Sequence, residues 1–228
     1  AKSRYCSRRK SGATVMNIID VEQGSDAWFA ARAGKLTASR VKALVAKTKS
    51  GYSSSRANMI TQLALERMTG VCEPTYSNAA MQRGTDLESQ ARDYYSFERD
   101  VSVSEVGMVI HPEYDFITCS PDGLIDDDGL VEIKCPFSMA KMVGYLEKDA
   151  HAKEYRVQLQ MQLLVTGRQY VDVVGYDPRF PDGLKMAVCR VEADKEYQEE
   201  LLSEMLKANT EINQLIEKLN KMKESKNE

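Results

Sequence analysis

The chain is 228 residues long, carries 31 Lys and Arg against 34 Asp and Glu, and is 43% hydrophobic. That length supports a full apolar core without disulfide staples, and no apolar run approaches the roughly 20 residues of a bilayer-spanning helix. Five scattered cysteines (Cys6, Cys72, Cys119, Cys135, Cys189) form no C-x-x-C pair, so the expectation is reduced thiols in a cytoplasmic protein. With only His111 and His151, a His-rich zinc centre is excluded and the chemistry is left to carboxylates.

The charge is uneven. Lys2, Arg4, Arg8, Arg9 and Lys10 crowd the first 15 residues without an acid, so from residue 16 onward 26 bases face 34 acids. Segment 1–15 reads as a disordered or non-native leader, with a basic nucleic-acid tail as the alternative, and 16–228 reads as a single domain. The acidic body excludes a protein that coats DNA non-specifically, because neutralising phosphates needs clustered Lys and Arg. A local basic channel stays open.

In chain order, Ser25 caps a short amphipathic helix over SDAWFAARAG that stops at Gly34. Thr37 or Ser39 caps a second helix through RVKALVA, and the Ser- and Lys-rich stretch 47–55 reads as an exposed loop. Met59, Ile60, Leu63, Ala64 and Met68 predict a helix over 56–69 closed by Gly70, and another follows over 79–95. The period then changes. Val101, Val103, Val106, Met108 and Ile110, then 116–119 and 130–135, are short β-branched runs bounded by Pro, Gly and Asp, which predicts adjacent strands of a mixed sheet. Helices return over 139–148 and 154–165, and strands over 169–176 and 184–191 flank the turn DPRFPDG. Leu201, Met205, Ala208, Ile212, Leu215, Leu219 and Met222 recur at alternating spacings of four and three. That stripe belongs to one long helix laid on the body, or to an oligomerisation helix. The fold class is thus α/β, a central mixed sheet flanked by helices with a long helix at the C-terminus.

The strongest chemical signal is Ser120-Pro121-Asp122-Gly123 followed by Val131-Glu132-Ile133-Lys134. On a strand, positions i and i+2 share a face, so Glu132 and Lys134 emerge side by side. If the Pro-Asp turn brings Asp122 across, two carboxylates and an ammonium converge, a set that suits Mg²⁺ and its oxygen ligands. Lys134 would then orient an attacking water or stabilise developing charge. Pro-Asp-Gly is also a common turn, and Glu-x-Lys on a strand is often a solvated face. Against that, these residues sit among hydrophobic strand positions, where an unpaired charge is costly.

The pattern resembles the PD-(D/E)xK nuclease motif, and residues 20–197 resemble the phage lambda-type exonucleases of the YqaJ-like viral recombinase family. The resemblance rests on blocks in order: VEQGSDAW at 21–28, Arg32-x-Gly34, Thr37-Ala38-Ser39, Gly84-x-x-x-Glu88, CSPDGL at 119–124, EIKCPF at 132–137, Tyr155-x-x-Gln158-x-Gln160 and Tyr176-Asp177-Pro178-Arg179. It implies a restriction-endonuclease-like core with Asp122, Glu132 and the Ile133 carbonyl as metal ligands, Lys134 as catalytic lysine and Glu88 completing the acidic cluster. It further implies a 5'-phosphate pocket of Arg32, Thr37, Ser39, Ser120 and Gln158, with Tyr155 beside the reacting phosphate. Met81 stands where the family places an apolar wedge at the duplex end, and Lys49 in the loop that reaches the DNA groove, where the family has Arg.

The function so implied is a Mg²⁺-dependent 5'-to-3' exonuclease, with a two-metal site and Mn²⁺ as a substitute. It would act on double-stranded DNA ends, release 5'-mononucleotides and leave a 3' strand for a single-strand annealing protein. A ring-shaped homotrimer, no membrane association, and a phage or prophage origin in a bacterial cytoplasm complete the expectation. The alternatives are a structure-specific or restriction-type endonuclease with the same core, and a DNA-binding recombination scaffold without catalysis.

Overall fold

The computed structural model describes residues 16–73 and 79–226; the leader expected at 1–15 lies outside them. The elements in order are β1 (Asn17–Ile19), α1 (Asp26–Arg32), β2 (Leu36–Thr37), α2 (Ala38–Val45), β3 (Lys47–Thr48), β4 (Gly51–Tyr52), α3 (Ser54–Thr69) and α4 (Ala79–Arg99). Then follow β5 (Val103–Ser104), β6 (Met108–Ile110), β7 (Ile117–Cys119), β8 (Gly123–Ile125), β9 (Gly129–Lys134), α5 (Met139–Lys148), α6 (Ala150–Thr166), β10 (Tyr170–Tyr176), β11 (Met186–Glu192) and α7 (Lys195–Glu224). The mixed α/β class holds, with the β residues divided between two main sheets, ordered β1-β6-β7-β2 and β11-β10-β9-β8-β5.

The division falls at Ser120-Pro121-Asp122. Strand β7 ends at Cys119 in the first sheet, and Gly123 opens β8 in the second, so the chain changes sheets within that turn. Gln23 pins the crossing by donating Nε2 to the carbonyls of Val106 at 2.8 Å and Pro121 at 3.0 Å. The two-residue strand β2 carries too little sequence to show a period; its pairing with β7 comes from tertiary contact.

Strand β9 lies inside the larger sheet, parallel to β10 and antiparallel to β8. Its alternation sorts side chains to opposite faces. Val131 and Ile133 pack with Tyr95 of α4, while Leu130 packs with Leu159 and Leu163 of α6. Glu132 and Lys134 therefore point to the α6 side. A separate core joins Leu36, Leu44, Leu63, Ile117, Met161, Met205 and Ile212, which seats α2, α3, α6 and α7 on the smaller sheet.

One sequence expectation changes and one open alternative is narrowed. The stretch 47–55 contains a small hairpin, β3 paired with β4, with Lys49 and Ser50 between the strands. It is tied to the C-terminal helix by Tyr52, whose hydroxyl donates to Glu204 at 2.6 Å, long-range bonding that the polar composition does not reveal. The heptad stripe of α7 is buried at Leu201, Met205, Ala208 and Ile212, so this part lies on the body, whereas Met222 near its end is 48% exposed.

Candidate active site

Asp122 and Glu132 meet through the backbone of β9. Asp122 Oδ2 accepts the Ile133 N–H at 2.6 Å, which fixes the turn carboxylate against the strand that carries Glu132 and Lys134. Glu132 is 2% exposed, and both its oxygens are bonded. Oε1 accepts from Lys134 Nζ and from Gln158 Nε2, each at 2.5 Å, and Oε2 accepts from Gln162 Nε2 at 2.6 Å. A carboxylate this far from water needs such donors.

The electrostatics follow from that crowding. Burial and the neighbouring Glu132 charge hold the Asp122 carboxyl well above the usual carboxylate range. For Lys134, burial opposes the charged form, but Glu132 and Asp122 overcome it and raise its pKa above the ordinary lysine value. The lysine is thus an ammonium at neutral pH, a proton donor and electrostatic partner. It also lies 4.6 Å from the centre of the Tyr155 ring. Tyr155 influences the nearby Tyr145, which packs over Gly175, the β10 residue opposite Lys134. A Cβ at Gly175 would come within 2.6 Å of the Tyr145 ring, so the glycine keeps this aromatic wall in place.

Glu88 approaches the cluster from another element, near enough for its charge to act on Asp122. It comes from α4, on the other face of β9, and its Oε1 accepts from Arg92 at 2.7 Å. Burial, with the Glu132 charge also contributing against Arg92, raises its pKa. Among the described residues no three His, Cys, Asp or Glu side chains form a metal-holding group; Asp122 and Glu132, joined through the Ile133 N–H, are the carboxylates weighed for one cation. A close carboxylate pair whose burial disfavours double ionisation is relieved by a hard cation, and a two-carboxylate site completed by a backbone carbonyl and water matches Mg²⁺. The residues fit the ion.

A second constellation surrounds Arg32. Its guanidinium lies 4.0 Å over the Trp28 ring and donates to Thr37 Oγ1 at 3.3 Å and Ser39 Oγ at 3.2 Å. Thr37 is the N-cap of α2, yet its side chain makes no capping bond. Its hydroxyl is engaged with Arg32 and Ser39 instead. Burial and the nearby Arg40 lower the Arg32 pKa to about 10. Arg40 has its own counter-ion, Glu66, at 2.7 Å, whereas among the described residues Arg32 forms no ion pair. A cation flanked by two hydroxyls at a helix start is arranged to take an anion.

The two constellations are joined. Trp28 Nε1 donates to Ser120 Oγ at 3.0 Å, and Ser120 stands two residues before Asp122. Cys119, fully buried between them, feels both the Glu132 and the Arg32 charge. Of the expected pocket, Arg32, Thr37 and Ser39 come together and Ser120 adjoins through Trp28. Gln158 gives its amide N–H to Glu132, because its position on α6 faces β9. Met81 is 49% exposed in the first turn of α4, and Lys49 is exposed at the hairpin tip.

The profile of the YqaJ-like viral recombinase domain matches residues 27–169, a span that contains all these site residues. The chain belongs to the YqaJ-like viral recombinase family. This YqaJ-like chain is also similar to an alkaline exonuclease from Laribacter hongkongensis, with 39% identity, a TM-score of 0.80, and coverage of 88% of this chain and 99% of that one. The same figures hold for a structure of that exonuclease in complex with dAMP. A phage-related exonuclease from Haemophilus somnus 129PT shares the fold at 16% identity and a TM-score of 0.67, over 81% of this chain and 96% of that one. An uncharacterised protein of Acanthamoeba polyphaga mimivirus is 28% identical over 177 residues; the match covers 72% of this chain and 31% of the viral protein.

Three supports in this YqaJ-like domain escape sequence reading. Gln162 is one helical turn beyond Gln158, and the i, i+4 spacing with Gln158 was the available signal. Arg92 binds Glu88, Glu105 and the Asp122 carbonyl at 2.7, 2.9 and 3.0 Å, and so ties α4 to the Pro121-Asp122 turn. Glu66 accepts from Arg40, Gln62 and the Gly34 N–H, bracing the turn just after Arg32.

Proposed function

We propose that this protein is a Mg²⁺-dependent exonuclease that enters duplex DNA at its ends and degrades the 5'-ended strand to 5'-mononucleotides. The observation that carries the reading is the link Arg32–Trp28–Ser120–Asp122: an anion pocket without a counter-ion among the described residues, built into the same turn as the candidate catalytic carboxylate. An enzyme that holds a terminal phosphate there places the next phosphodiester toward Asp122, Glu132 and Lys134. The likeness to the Laribacter hongkongensis alkaline exonuclease supports the activity, and that enzyme's complex with dAMP fits release of a nucleoside monophosphate.

Asp122, Glu132 and the Ile133 carbonyl would hold the Mg²⁺. When bound, the ion polarises a phosphoryl oxygen and acidifies water, with Mn²⁺ able to substitute. Glu88, held by Arg92, stands close enough to influence Glu132 and to support water around the site. Gln158 and Gln162 fix the rotation of Glu132 before substrate arrives. Lys134, kept charged, stabilises negative charge on the reacting phosphoryl group and can donate toward the leaving oxygen. Tyr155 walls the lysine on one side and limits the pose of the scissile phosphate. Arg32, Thr37 and Ser39 grip the 5' end, and Met81 and Lys49 touch the duplex ahead of it. The remaining family expectations, a homotrimeric ring, a single-strand annealing partner and a phage-derived role in a bacterial cytoplasm, belong to the same proposal. Among the described residues no helix is long and apolar enough to cross a membrane.

The test is digestion of linear duplexes labelled at either end, carrying 5'-phosphate or 5'-hydroxyl, beside a covalently closed circle. Mg²⁺-dependent release from phosphorylated 5' ends with the circle intact is the expected result. Cutting of the circle makes the protein an endonuclease, and binding without hydrolysis makes it a scaffold.

A further inference from the structure

The loop that leaves the catalytic strand leads straight into α5, whose first turn carries Lys141. Its side chain is 41% exposed and its amine pairs with Glu154 at 2.8 Å. It lies 5.8 Å from the centre of the same Tyr155 ring that Lys134 approaches at 4.6 Å. One aromatic ring is thus shared by the buried lysine of the reacting centre and by a solvent-facing lysine beside it. Lys42 from α2 adds a third amine by donating to the Glu154 carbonyl at 3.4 Å.

Resting on the exonuclease reading above, we infer that Lys141 binds a backbone phosphate of the digested strand next to the scissile one, with Glu154 as its counter-ion in the free protein. The span supports this. Two amines that approach one ring at 4.6 and 5.8 Å are close enough to engage neighbouring phosphates of one strand, which rises about 3.4 Å per nucleotide. The exchange is inexpensive, because an exposed Lys–Glu pair contributes little to folding and both groups are already partly hydrated. The need is electrostatic: from residue 16 onward acids outnumber bases by 34 to 26, so a strand entering the site requires local cations. The surrounding surface also suits a contact. Phe137, 57% exposed between Lys134 and Lys141, has its carbonyl held by Arg179 at 2.9 Å, which gives this turn a fixed shape while leaving the ring uncovered.

The experiment compares the parent protein with Lys141→Ala, Lys141→Arg and Glu154→Gln on one 5'-phosphorylated duplex. It reads KM and kcat for nucleotide release in Mg²⁺, and equilibrium binding from about 50 to 200 mM salt. Lys141→Ala is expected to raise KM about three- to tenfold with kcat nearly unchanged, and to reduce the log–log salt slope by about one. Lys141→Arg restores both values. Glu154→Gln, which removes the competing carboxylate, tightens binding about two- to threefold. A Lys141→Ala protein with the parent KM and salt slope overturns the inference, as does a loss confined to kcat. A parent protein that neither binds nor digests the duplex overturns the exonuclease reading itself.

Discussion

The strand-borne centre and the Arg32 pocket solve opposite problems. At β9 the charges are enclosed and saturated: Glu132 is 2% exposed and takes three donors at 2.5–2.6 Å. At the α1–α2 junction the bonds are looser, 3.2–3.3 Å, Ser39 is exposed, and the guanidinium has no carboxylate partner among the described residues. The enclosed site holds negative charge that calls for a cation, and the open site holds positive charge that calls for an anion. On the proposed reading, chemistry that must be aligned before reaction sits on a central strand, and a group that must be caught and released meets helix ends. Rigidity thus tracks the tolerance of each step for misplacement.

This contrast can be broken most severely by chelation. Removing divalent ions should reduce hydrolysis to background, with activity restored by Mg²⁺ and binding without turnover in Ca²⁺, whose coordination sphere is larger and looser. Nucleotide release and gel-shift binding, measured in parallel, separate the two. Next comes Lys134→Ala, which should lower single-turnover cleavage by on the order of 10²–10⁴-fold while end binding persists. Substantial residual cleavage would remove the lysine from the reaction. Arg32→Ala should act on the open site alone, reducing the preference for 5'-phosphate over 5'-hydroxyl ends by about 10–100-fold, as expected for a lost charged hydrogen bond. Equal losses on both ends would show that the guanidinium serves the fold.

The mildest test concerns the brace behind that pocket. Burial pushes the Glu66 carboxyl up, but bonds from Arg40, the Gly34 N–H and Gln62 outweigh it and hold its pKa below the ordinary 4.5. A depressed folded pKa contributes stability above the unfolded value and loses it as pH falls through the folded one. Glu66→Gln should therefore cost about 1–3 kcal/mol near neutral pH, and the gap from the parent protein should shrink below pH 4.5. Denaturant melts across that range check it; a gap independent of pH would assign the loss to shape alone.

The sequence makes the catalytic strand legible because local rules govern it: a Pro-Asp turn, a six-residue strand and i, i+2 alternation put Glu132 and Lys134 together. The long helices are legible for the same reason. The division into two sheets is not, since β1, β2 and β8 are two or three residues long and exist only through their partners. Glu88 shows the limit of motif reasoning. Its spacing from Gly84 matches the family, but only the packing of α4 across the sheet from Glu132, and the local claim of Arg92, determine what its carboxylate touches. Gln158 shows it again: a helix position is readable from sequence, whereas the strand it faces is a tertiary fact.

Helix α6 presents Tyr155, Gln158 and Gln162 from one face to β9. Inserting a single residue between Tyr155 and Gln162 would turn everything beyond it by about 100°, because an α-helix has 3.6 residues per turn. Placed between Tyr155 and Gln158, such an insertion would separate the tyrosine from both amides in one step. The hairpin that carries Lys49 joins its strands through a two-residue exposed turn, where added length is absorbed in solvent. Length variation is therefore accommodated at the hairpin and refused along the helix, so that under the proposed reading the hairpin is where this architecture can be recut for a different substrate end.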